Sequence, residues 1–329
     1  MLNVVQLGLG PIGQQLTRYL FDRPGIQIVG AVDPDPEKSG KDLGMHADIK
    51  KIGVKISPDL QSVQDIEEAD VAVISTLSSL QKVEPQIIET ADYGLDVVST
   101  CEELSYPWNT QPDIASRIDD YCTEQGVSCL GTGVNPGFLM DYLPSVLTSV
   151  CRNVERIKVE RIQDAQPRRK PFRDKMGVGL TESEFQEKSD TIRHVGLEES
   201  VHMIADAMSW ELDNVCEMLV PVRAGSDLKN DTLNVSKGQV AGVQQVARGY
   251  IDDKEMITLI FKAAVGIEES HDTVHVTGTP GFTSTIEGGI NGDIATSAII
   301  VNAISAVGDA AAGLKTMLDI KAPAYYSEI

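Results

Sequence analysis

The chain has 329 residues, of which 42% are hydrophobic and 23% are charged, a composition that fits two packed domains and argues against a disordered polypeptide. Its 49 acidic residues outnumber its 28 basic ones, and the net charge of -21 argues against binding to nucleic acid or to anionic membranes. Five cysteines without a CxxC pair argue against a disulfide framework or a zinc site, so we expect a cytoplasmic protein without a bound metal, an export signal or a membrane span.

The chain opens with an apolar strand, a glycine turn and a helical pattern. A GxGxxG motif occupies residues 8–13, and the next apolar run ends on Asp33, which completes a dinucleotide-binding fingerprint. Gly8 permits the tight turn, Gly10 lets a pyrophosphate approach the backbone, and Gly13 lets the helix pack closely on its strand. The helix N-terminus then faces the cofactor phosphates. We predict that the cofactor contacts at this end of the chain are Gly8, Gly10, Pro11, Ile12, Gly13 and Asp33.

Asp33 also predicts which cofactor is used. A carboxylate at this position accepts hydrogen bonds from both ribose hydroxyls and repels a 2′-phosphate. No arginine follows in the next residues, although Lys38 and Lys41 are near enough to offset the negative charge. We therefore predict NAD as the preferred cofactor, with NADP as the alternative.

Further strands alternate with helical segments, which is typical of a parallel sheet. Ser75 and Thr76 follow the apolar run at residues 71–74, and the run at residues 97–100 ends in Ser99 and Thr100. Because ligands of such sheets bind beyond the carboxyl ends of the strands, these side chains border the predicted cleft. We expect the cofactor to contact Ser75, Thr76 and Thr100.

Two adjacent carboxylates, Glu102 and Glu103, follow the second of these runs. A strand in a packed sheet has no packing reason to end in two acids, which makes both residues catalytic candidates. The alternative is the solvated first turn of a helix, where acidic residues are favoured.

A glycine-rich segment, residues 131–138, marks the predicted domain boundary. Its Asn135 and backbone amides are candidates for holding a substrate or the nicotinamide carboxamide, and the alternative is a tight linker. We place the dinucleotide-binding domain at residues 1–132 and the substrate and oligomerisation domain at residues 133–292. Residues 293–329 are expected to complete the first domain.

The second domain is predicted to be α+β. Alternating strands separated by turns favour a largely antiparallel sheet, and helices are predicted at residues 182–187, 202–208 and 211–218. A glycine loop at residues 288–296 then leads into an apolar helix that packs on the first domain. The predicted fold class is therefore α/β, with an N-terminal Rossmann parallel sheet followed by an α+β domain.

One basic cluster stands out in this acidic chain: Arg161, Arg168, Arg169, Lys170, Arg173 and Lys175. It can hold a substrate carboxylate or a cofactor phosphate, and the alternative is a surface patch of salt bridges. We take Arg161, Arg168 and Arg169, together with Phe138, as candidate substrate contacts. The five histidines show no metal-ligand spacing, so we assign none of them to catalysis or to metal binding.

Taken together, these motifs resemble the 2,4-diaminopentanoate dehydrogenases and native amine dehydrogenases, a branch of the dihydrodipicolinate-reductase-like enzymes. The likeness runs the whole length of the chain, and its most specific part is the Cys-Glu-Glu-Leu segment at residues 101–104. It is also carried by the segments Gly8–Gly13 with Asp33, Lys41–Gly44, Val98–Pro107, Gly133–Phe138, Gly292–Thr296 and Val301–Ile304. The resemblance implies NAD(P)-dependent oxidative deamination of an amine to a ketone, reversible with ammonia, and a catalytic glutamate at the end of the strand. We favour Glu102 for that role, with Glu103 as the alternate, and we expect a homodimer.

Three other functions compete with this interpretation: another carbonyl or imine reductase of the same fold, an NAD-sensing regulatory protein, and a non-catalytic interaction protein. A carbonyl reductase would place a proton-donating Lys, His or Tyr where this chain has Glu102, and a sensor could dispense with that glutamate. Dihydrodipicolinate reductase itself is rejected, because its histidine-pair and lysine motif is absent after Arg161.

Overall fold

The computed structural model describes residues 1–189, 191–230 and 233–326, and the chain divides into two compact units. The first unit contains Met1–Phe138 together with the segment from Asn291 onward, and the second is Leu139–Ile290. The first unit is therefore discontinuous, since the chain leaves it once and later returns.

The N-terminal part of the first unit alternates strands with helices. Its elements are β1 (Leu2–Leu7), α1 (Pro11–Phe21), β2 (Ile26–Val32), α2 (Leu43–His46), β3 (Ile56–Ser57), β4 (Val71–Ile74), α3 (Leu80–Asp92), β5 (Asp96–Ser99), α4 (Pro112–Gln125) and β6 (Ser128–Gly131). Short 3₁₀ turns occupy Ile66–Glu68 and Glu102–Leu104.

The second unit begins with helices and ends with long strands. Its elements are α5 (Tyr142–Leu147), β7 (Asn153–Asp164), α6 (Lys170–Lys175), α7 (Glu182–Glu187), α8 (Leu197–Ala207), β8 (Asn214–Arg223), β9 (Leu228–Asn230), β10 (Leu233–Val235), β11 (Val240–Ile251), β12 (Lys254–Ala264), β13 (His271–Thr279) and β14 (Phe282–Glu287). A 3₁₀ turn at Thr148–Val150 follows α5.

On its return to the first unit the chain forms α9 (Gly292–Gly308) and β15 (Gly313–Lys315). The helix packs on α1 and on β5, and β15 pairs with β6 in parallel. The seven-stranded sheet has the order β15-β6-β5-β4-β1-β2-β3, and its strands are parallel throughout. The predicted N-terminal Rossmann sheet is confirmed.

The central strands of this sheet are buried on both faces. Val4 and Val5 of β1 and the four residues Val71–Ile74 of β4 are almost fully removed from solvent. Helices cover both faces of a sheet of this kind, which is why these strands read as continuous apolar runs rather than as alternating ones. The polar side chains that follow the strands consequently collect at one edge, where the carboxyl ends lie.

The six-stranded sheet of the second unit has the order β14-β13-β7-β12-β11-β8. Its neighbouring strands are antiparallel except β7 and β12, which run parallel. Helix α8 packs on β8, β11 and β12, and β9 and β10 form a separate two-stranded ladder. The prediction of a largely antiparallel second sheet is confirmed.

The helix predicted at residues 211–218 is wrong, because this segment enters strand β8 at Asn214. Glu217, Met218 and Leu219 favour a helix in isolation, but β8 pairs with β11 along its whole length, and that pairing overrides local propensity. Pro221 fits the assignment, since β8 is an edge strand and an edge tolerates proline.

The predicted glycine loop at residues 288–296 is wrong in its second half, because α9 already begins at Gly292. The side chain of Asn291 accepts hydrogen bonds from the N–H groups of Asp293 and Ile294, which caps the helix at this point. The sequence analysis also missed the short strand β15.

Across the described ranges, 1–189, 191–230 and 233–326, no helix has the length and apolar character needed to cross a membrane.

Candidate active site

The glycine turn between β1 and α1 is closely packed at Gly8 and Gly13 and open at Gly10. A Cβ on Gly8, whose φ is +87°, would lie 2.7 Å from the Ser75 carbonyl oxygen, and a Cβ on Gly13 would collide with the Gly8 carbonyl oxygen. A Cβ on Gly10 would meet nothing within 4 Å, so the turn leaves open space at this residue. Helix α1 begins at Pro11 without a side-chain cap on Gly10. The open space fits a phosphate group at the N-terminus of α1, of which Ile12 is the second residue.

Asp33, directly after β2, is tied to this turn. Its Oδ2 accepts hydrogen bonds from the Leu9 N–H at 2.9 Å and from the Lys38 ammonium at 2.8 Å, and its Oδ1 accepts from the Asp35 N–H at 3.0 Å. Burial alone would raise the pKa of Asp33, but Lys38 and the two amides together lower it. The carboxylate is therefore ionised at neutral pH and sits beside a cation.

Ser75 and Thr76 follow β4 at the same edge of the sheet. The Ser75 hydroxyl donates to the Gly8 carbonyl at 2.9 Å, and the Thr76 hydroxyl donates to the Gln86 side chain at 2.7 Å. The Thr100 N–H donates to the Ile74 carbonyl at 3.0 Å, which places Thr100 beside the end of β4. The structure thus brings the glycine turn, Asp33, Ser75, Thr76 and Thr100 together at one edge, as their positions after parallel strands predict.

The two glutamates lie in the 3₁₀ turn that follows β5, and they differ in surroundings. Glu103 Oε2 accepts hydrogen bonds from the Leu80 N–H and from the Gln111 side chain, both at 2.8 Å. Leu80 is the first residue of α3, so Glu103 caps that helix from outside it. Glu102 is half-buried, and its backbone carbonyl accepts from the Ser105 hydroxyl at 2.8 Å. The alternative interpretation was that the two glutamates begin a helix. The structure shows only a 3₁₀ turn there, at Glu102–Leu104.

Cys101, the residue before the two glutamates, is an inert thiol. Burial raises the pKa of Cys101 far above its usual value, and the charges of Glu102 and Glu103 add to the rise. Its Sγ donates to the Ser78 carbonyl at 3.2 Å. A protonated, buried thiol is a poor nucleophile.

The glycine-rich segment 131–138 continues the same edge after β6. A Cβ on Gly131 would lie 2.5 Å from the Leu104 carbonyl carbon, so β6 ends against the turn that carries the two glutamates. The Val134 N–H donates to the Thr296 hydroxyl at 3.4 Å, which links the segment to α9. Asn135 precedes a cis proline, and Phe138 is the last residue of the first unit before the chain enters the second.

The basic cluster belongs to the second unit, and its arginines are not a surface patch. Arg161, Arg168 and Arg173 are 2%, 9% and 8% exposed. Arg161 forms an ion pair with Asp272 at 2.6 Å and donates to the Ile290 carbonyl at 2.9 Å. The surface alternative is therefore wrong for these three side chains, and the charge of Arg161 is neutralised within the sheet.

Arg168 and Arg169 lie between β7 and α6. Arg168 donates to the Gln163 side chain at 3.2 Å, and its guanidinium stacks 3.9 Å above the ring of Phe172. Arg169 immediately precedes α6. The guanidinium itself is planar, a shape suited to a carboxylate, and its place over the ring adds a cation–π contact.

His194 is a half-buried neighbour of this cluster that the sequence analysis missed. Its ring stacks on Phe261 with centroids 4.5 Å apart, and its N–H and carbonyl both bond to the side chain of the fully buried Gln245. Burial lowers the pKa of His194 well below its usual value, and the charges of Lys175, Arg161 and Arg168 lower it further. No signal in the sequence places His194 beside the cluster, because Gln245, which binds its backbone, is 51 positions away.

Within the part of the chain that the structure describes, no group of three or more His, Cys, Asp or Glu side chains could hold a metal ion.

Comparisons with known proteins agree with the fold and show the family of the chain. Two family models match: the 2,4-diaminopentanoate dehydrogenase C-terminal domain over residues 138–328, and the dihydrodipicolinate reductase N-terminus over residues 2–99. The chain is 31% identical over 338 aligned residues to a 2,4-diaminopentanoate dehydrogenase from Acetoanaerobium sticklandii, an alignment covering 98% of this chain and 94% of the relative.

Two further comparisons give the same picture. An amine dehydrogenase from Streptomyces virginiae is 25% identical over 66% of this chain and 62% of its own length. The solved structure of an amine dehydrogenase from Mycobacterium smegmatis superposes with a TM-score of 0.87 over 99% of this chain and 97% of that chain, at 21% identity, which compares the fold alone.

Proposed function

Because the chain belongs to the 2,4-diaminopentanoate dehydrogenase family, we propose that it oxidises a small amine carrying a carboxylate, with Glu102 as its catalytic carboxylate. The chain is an NAD(P)-dependent amine dehydrogenase that converts an amine to a ketone by oxidative deamination, as the sequence predicts. The proposal concerns what lies beyond that activity: the residue that manages protons, the choice of cofactor, the class of amine and the assembly.

The observation that carries the proposal is the difference in position between the two glutamates. Glu103 holds the Leu80 N–H and the Gln111 side chain, so its carboxylate serves the end of α3. Glu102 follows β5 at the carboxyl edge of the parallel sheet, where substrates of such folds bind. These two placements support Glu102 as the catalytic group and Glu103 as a structural neighbour.

Glu102 would serve the reaction in two ways. A bound nicotinamide supplies the acceptor for the hydride that leaves the amine-bearing carbon. As an anion, Glu102 stabilises the cationic amine or iminium carbon centre of the substrate. As a base, it takes a proton from the substrate amine or from the water that attacks the iminium carbon, and it returns that proton in the reverse direction.

For the cofactor, we propose that NAD is preferred and that NADP is also accepted. Asp33 supports the preference, because its carboxylate is ionised and disfavours a 2′-phosphate. Lys38 supports the acceptance of NADP, because its ammonium lies 2.8 Å from Asp33 and can pair with a phosphate at the same place. Asp33 thus favours NAD, and Lys38 favours NADP.

For the amine, the buried cations of the second unit support a substrate that carries a carboxylate, as 2,4-diaminopentanoate does. We assign this contact to Arg168 and Arg169, together with Arg161, because a guanidinium matches the planar geometry of a carboxylate. The guanidinium of Arg168 lies over the Phe172 ring. Phe138 stays a proposed apolar contact of the substrate.

For the assembly, we propose a homodimer formed through the face of the six-stranded sheet opposite the buried Ile157 and Val159. That face carries ion pairs formed by Arg156 and Arg248 with Glu255, and by Lys158 with Glu160. A balanced face is where a chain of net charge -21 can approach its own copy without repulsion. Sedimentation velocity tests the proposal: Arg248→Glu should shift a dimer toward monomer, and a monomeric parent protein would contradict it.

A substrate screen tests the proposed function directly. NAD reduction is followed with 2,4-diaminopentanoate, unsubstituted alkylamines and alcohols, and the reverse reaction is followed with ketones and ammonium. We expect turnover with amines, highest for the carboxylated one, and none with alcohols. Faster turnover of the plain alkylamines would overturn the carboxylate assignment.

A further inference from the structure

The segment Lys41–Gly44 builds a rigid platform beside the glycine turn. The carboxylate of Asp42 accepts hydrogen bonds from the N–H groups of Met45 at 3.1 Å, Ile52 at 3.2 Å and Gly53 at 2.8 Å. Gly44 has no room for a side chain, because a Cβ there would collide with the Lys50 carbonyl oxygen. Three amides converging on one carboxylate fix α2 and the loop after it as a single element.

This platform is fastened to α1. The Arg18 guanidinium on α1 donates to the Ala47 carbonyl at 2.7 Å and pairs with Asp48 at 3.3 Å. Because α1 starts directly after the glycine turn, α2 is held at a fixed distance from that turn. The last residue of α2, His46, is thereby carried to the turn itself.

His46 touches the backbone of the glycine turn. Its Nε2 lies 3.0 Å from the Leu9 carbonyl oxygen and 3.3 Å from the side-chain amide nitrogen of Gln14. In the tautomer with the hydrogen on Nε2, His46 donates to the Leu9 carbonyl oxygen, which only accepts hydrogen bonds, and the Gln14 amide then faces the imidazole with its oxygen.

Two consecutive peptide groups of the turn are now held. The Gly8–Leu9 peptide is gripped at both ends, by the Ser75 hydroxyl on its carbonyl and by Asp33 on its N–H. The next peptide, Leu9–Gly10, is gripped by His46 at its carbonyl. In a planar trans peptide the N–H points opposite to the C=O, so holding the Leu9 carbonyl also sets the direction of the Gly10 N–H.

The Gly10 N–H matters because Pro11 has none. Donors toward a phosphate at the start of α1 are then limited to the N–H groups of Gly10, Ile12 and Gly13. Within the described residues the Gly10 N–H forms no hydrogen bond, and the space beside Gly10 is open.

We propose that His46 is a positioning residue for the dinucleotide: it fixes the Leu9–Gly10 peptide so that the Gly10 N–H is available to a cofactor phosphate. The proposal rests on a nicotinamide dinucleotide binding at the glycine turn. His46 acts through the backbone of Leu9 and does not take part in the chemical step.

Binding measurements with His46→Leu and His46→Gln test this role. Titration calorimetry gives the Kd of NADH and of ADP-ribose, which keeps the two phosphates and lacks the nicotinamide. We expect His46→Leu to raise both Kd values and the KM for NAD by about 3- to 10-fold, the worth of one hydrogen bond, with kcat near that of the parent protein. His46→Gln should restore most of the affinity, because its side-chain amide can donate from the same place as Nε2.

Two controls separate this inference from its premise. Met45→Ala, on an exposed side chain of the same short helix, should leave both Kd values unchanged. Gly10→Asp should fold, because its side chain meets open space, and should abolish ADP-ribose binding by placing an anion in the cradle. If His46→Leu keeps the parent Kd values while Gly10→Asp loses binding, the role of His46 is overturned; if Gly10→Asp also binds normally, the dinucleotide lies elsewhere.

Discussion

The two units hold their buried charges in different ways. In the first unit, carboxylates accept hydrogen bonds from main-chain N–H groups: Asp33 from Leu9 and Asp35, and Glu103 from Leu80. In the second unit, the buried Arg161 is held by Asp272, a side chain 111 positions away on another strand. The partners of the first unit's carboxylates lie within 24 positions of them, whereas the Arg161 pair forms only when two strands far apart in the sequence have come together.

The sharpest test of this difference is the Arg161–Asp272 pair. Asp272→Asn leaves a buried guanidinium without its counter-charge, and removing one partner of a buried pair costs about 3 to 5 kcal/mol. We expect urea denaturation to show a loss of free energy of unfolding in this range.

The exposed pair of Lys170 and Asp174 is the matched control. Asp174→Asn should change the free energy of unfolding by less than about 1 kcal/mol, because both partners are solvated. The double variant Arg161→Met with Asp272→Asn should recover much of the loss, since no unpaired charge is left. If Asp272→Asn and Asp174→Asn lower the free energy of unfolding by the same amount, the proposed difference between the units is contradicted.

The next largest effect is expected at Glu102. Glu102→Gln keeps the size and removes the charge, so it should lower kcat for amine oxidation by about 10²-fold or more. NADH affinity should be nearly unchanged. Stopped-flow single turnovers and fluorescence titration of NADH measure the two quantities.

Glu103→Gln is the control for that prediction. We expect it to keep most of the activity and to lower the melting temperature, because the cap on α3 is weakened. An active Glu102→Gln beside an inactive Glu103→Gln would exchange the roles of the two residues. If both variants turn over at the parent rate, the proposed mechanism is refuted.

A third, smaller effect is expected at Arg168. Arg168→Gln should reduce kcat/KM for a carboxylated amine at least about 10-fold more than for an alkylamine, since one charge-assisted hydrogen bond is lost. Lys170→Gln, on an exposed cation two positions away, should affect both substrates equally. An equal loss with both amines for Arg168→Gln would remove this side chain from substrate recognition.

The smallest effect is expected in cofactor choice, where Asp33 and Lys38 oppose each other. Lys38→Met should shift the ratio of kcat/KM values a few-fold toward NAD, and Asp33→Ser should shift it toward NADP. Asp33→Ser should also weaken both cofactors, because the Leu9 N–H loses its acceptor. A ratio that does not move in either variant would mean that neither residue reaches the ribose.

The features that the sequence predicted are those whose cause lies within a short stretch of chain. The turn at Gly8–Gly13, the acid Asp33 at the end of β2 and the apolar run at residues 71–74 that forms β4 follow from apolar periods, glycines and strand ends. The sequence therefore predicted which residues lie together at the carboxyl edge of this sheet.

The features that the sequence missed depend on contacts between distant segments. Only the approach of Leu80 to Glu103 distinguishes the two glutamates, and only β11 turns the helix-favouring residues after Asp213 into strand β8. Likewise, the sequence gives no sign that Arg161 pairs with Asp272. No local pattern encodes these pairings, because each partner is supplied by a different part of the chain.

The return of the chain to its first unit has a consequence for synthesis on the ribosome. Strand β15 pairs with β6, and the Ser128 hydroxyl donates to the Val307 carbonyl, 179 positions further along. A nascent polypeptide reaches this point only after the entire second unit has been translated. Throughout that interval the edge of β6 that faces away from β5 is unpaired and open to pairing with a neighbouring nascent chain.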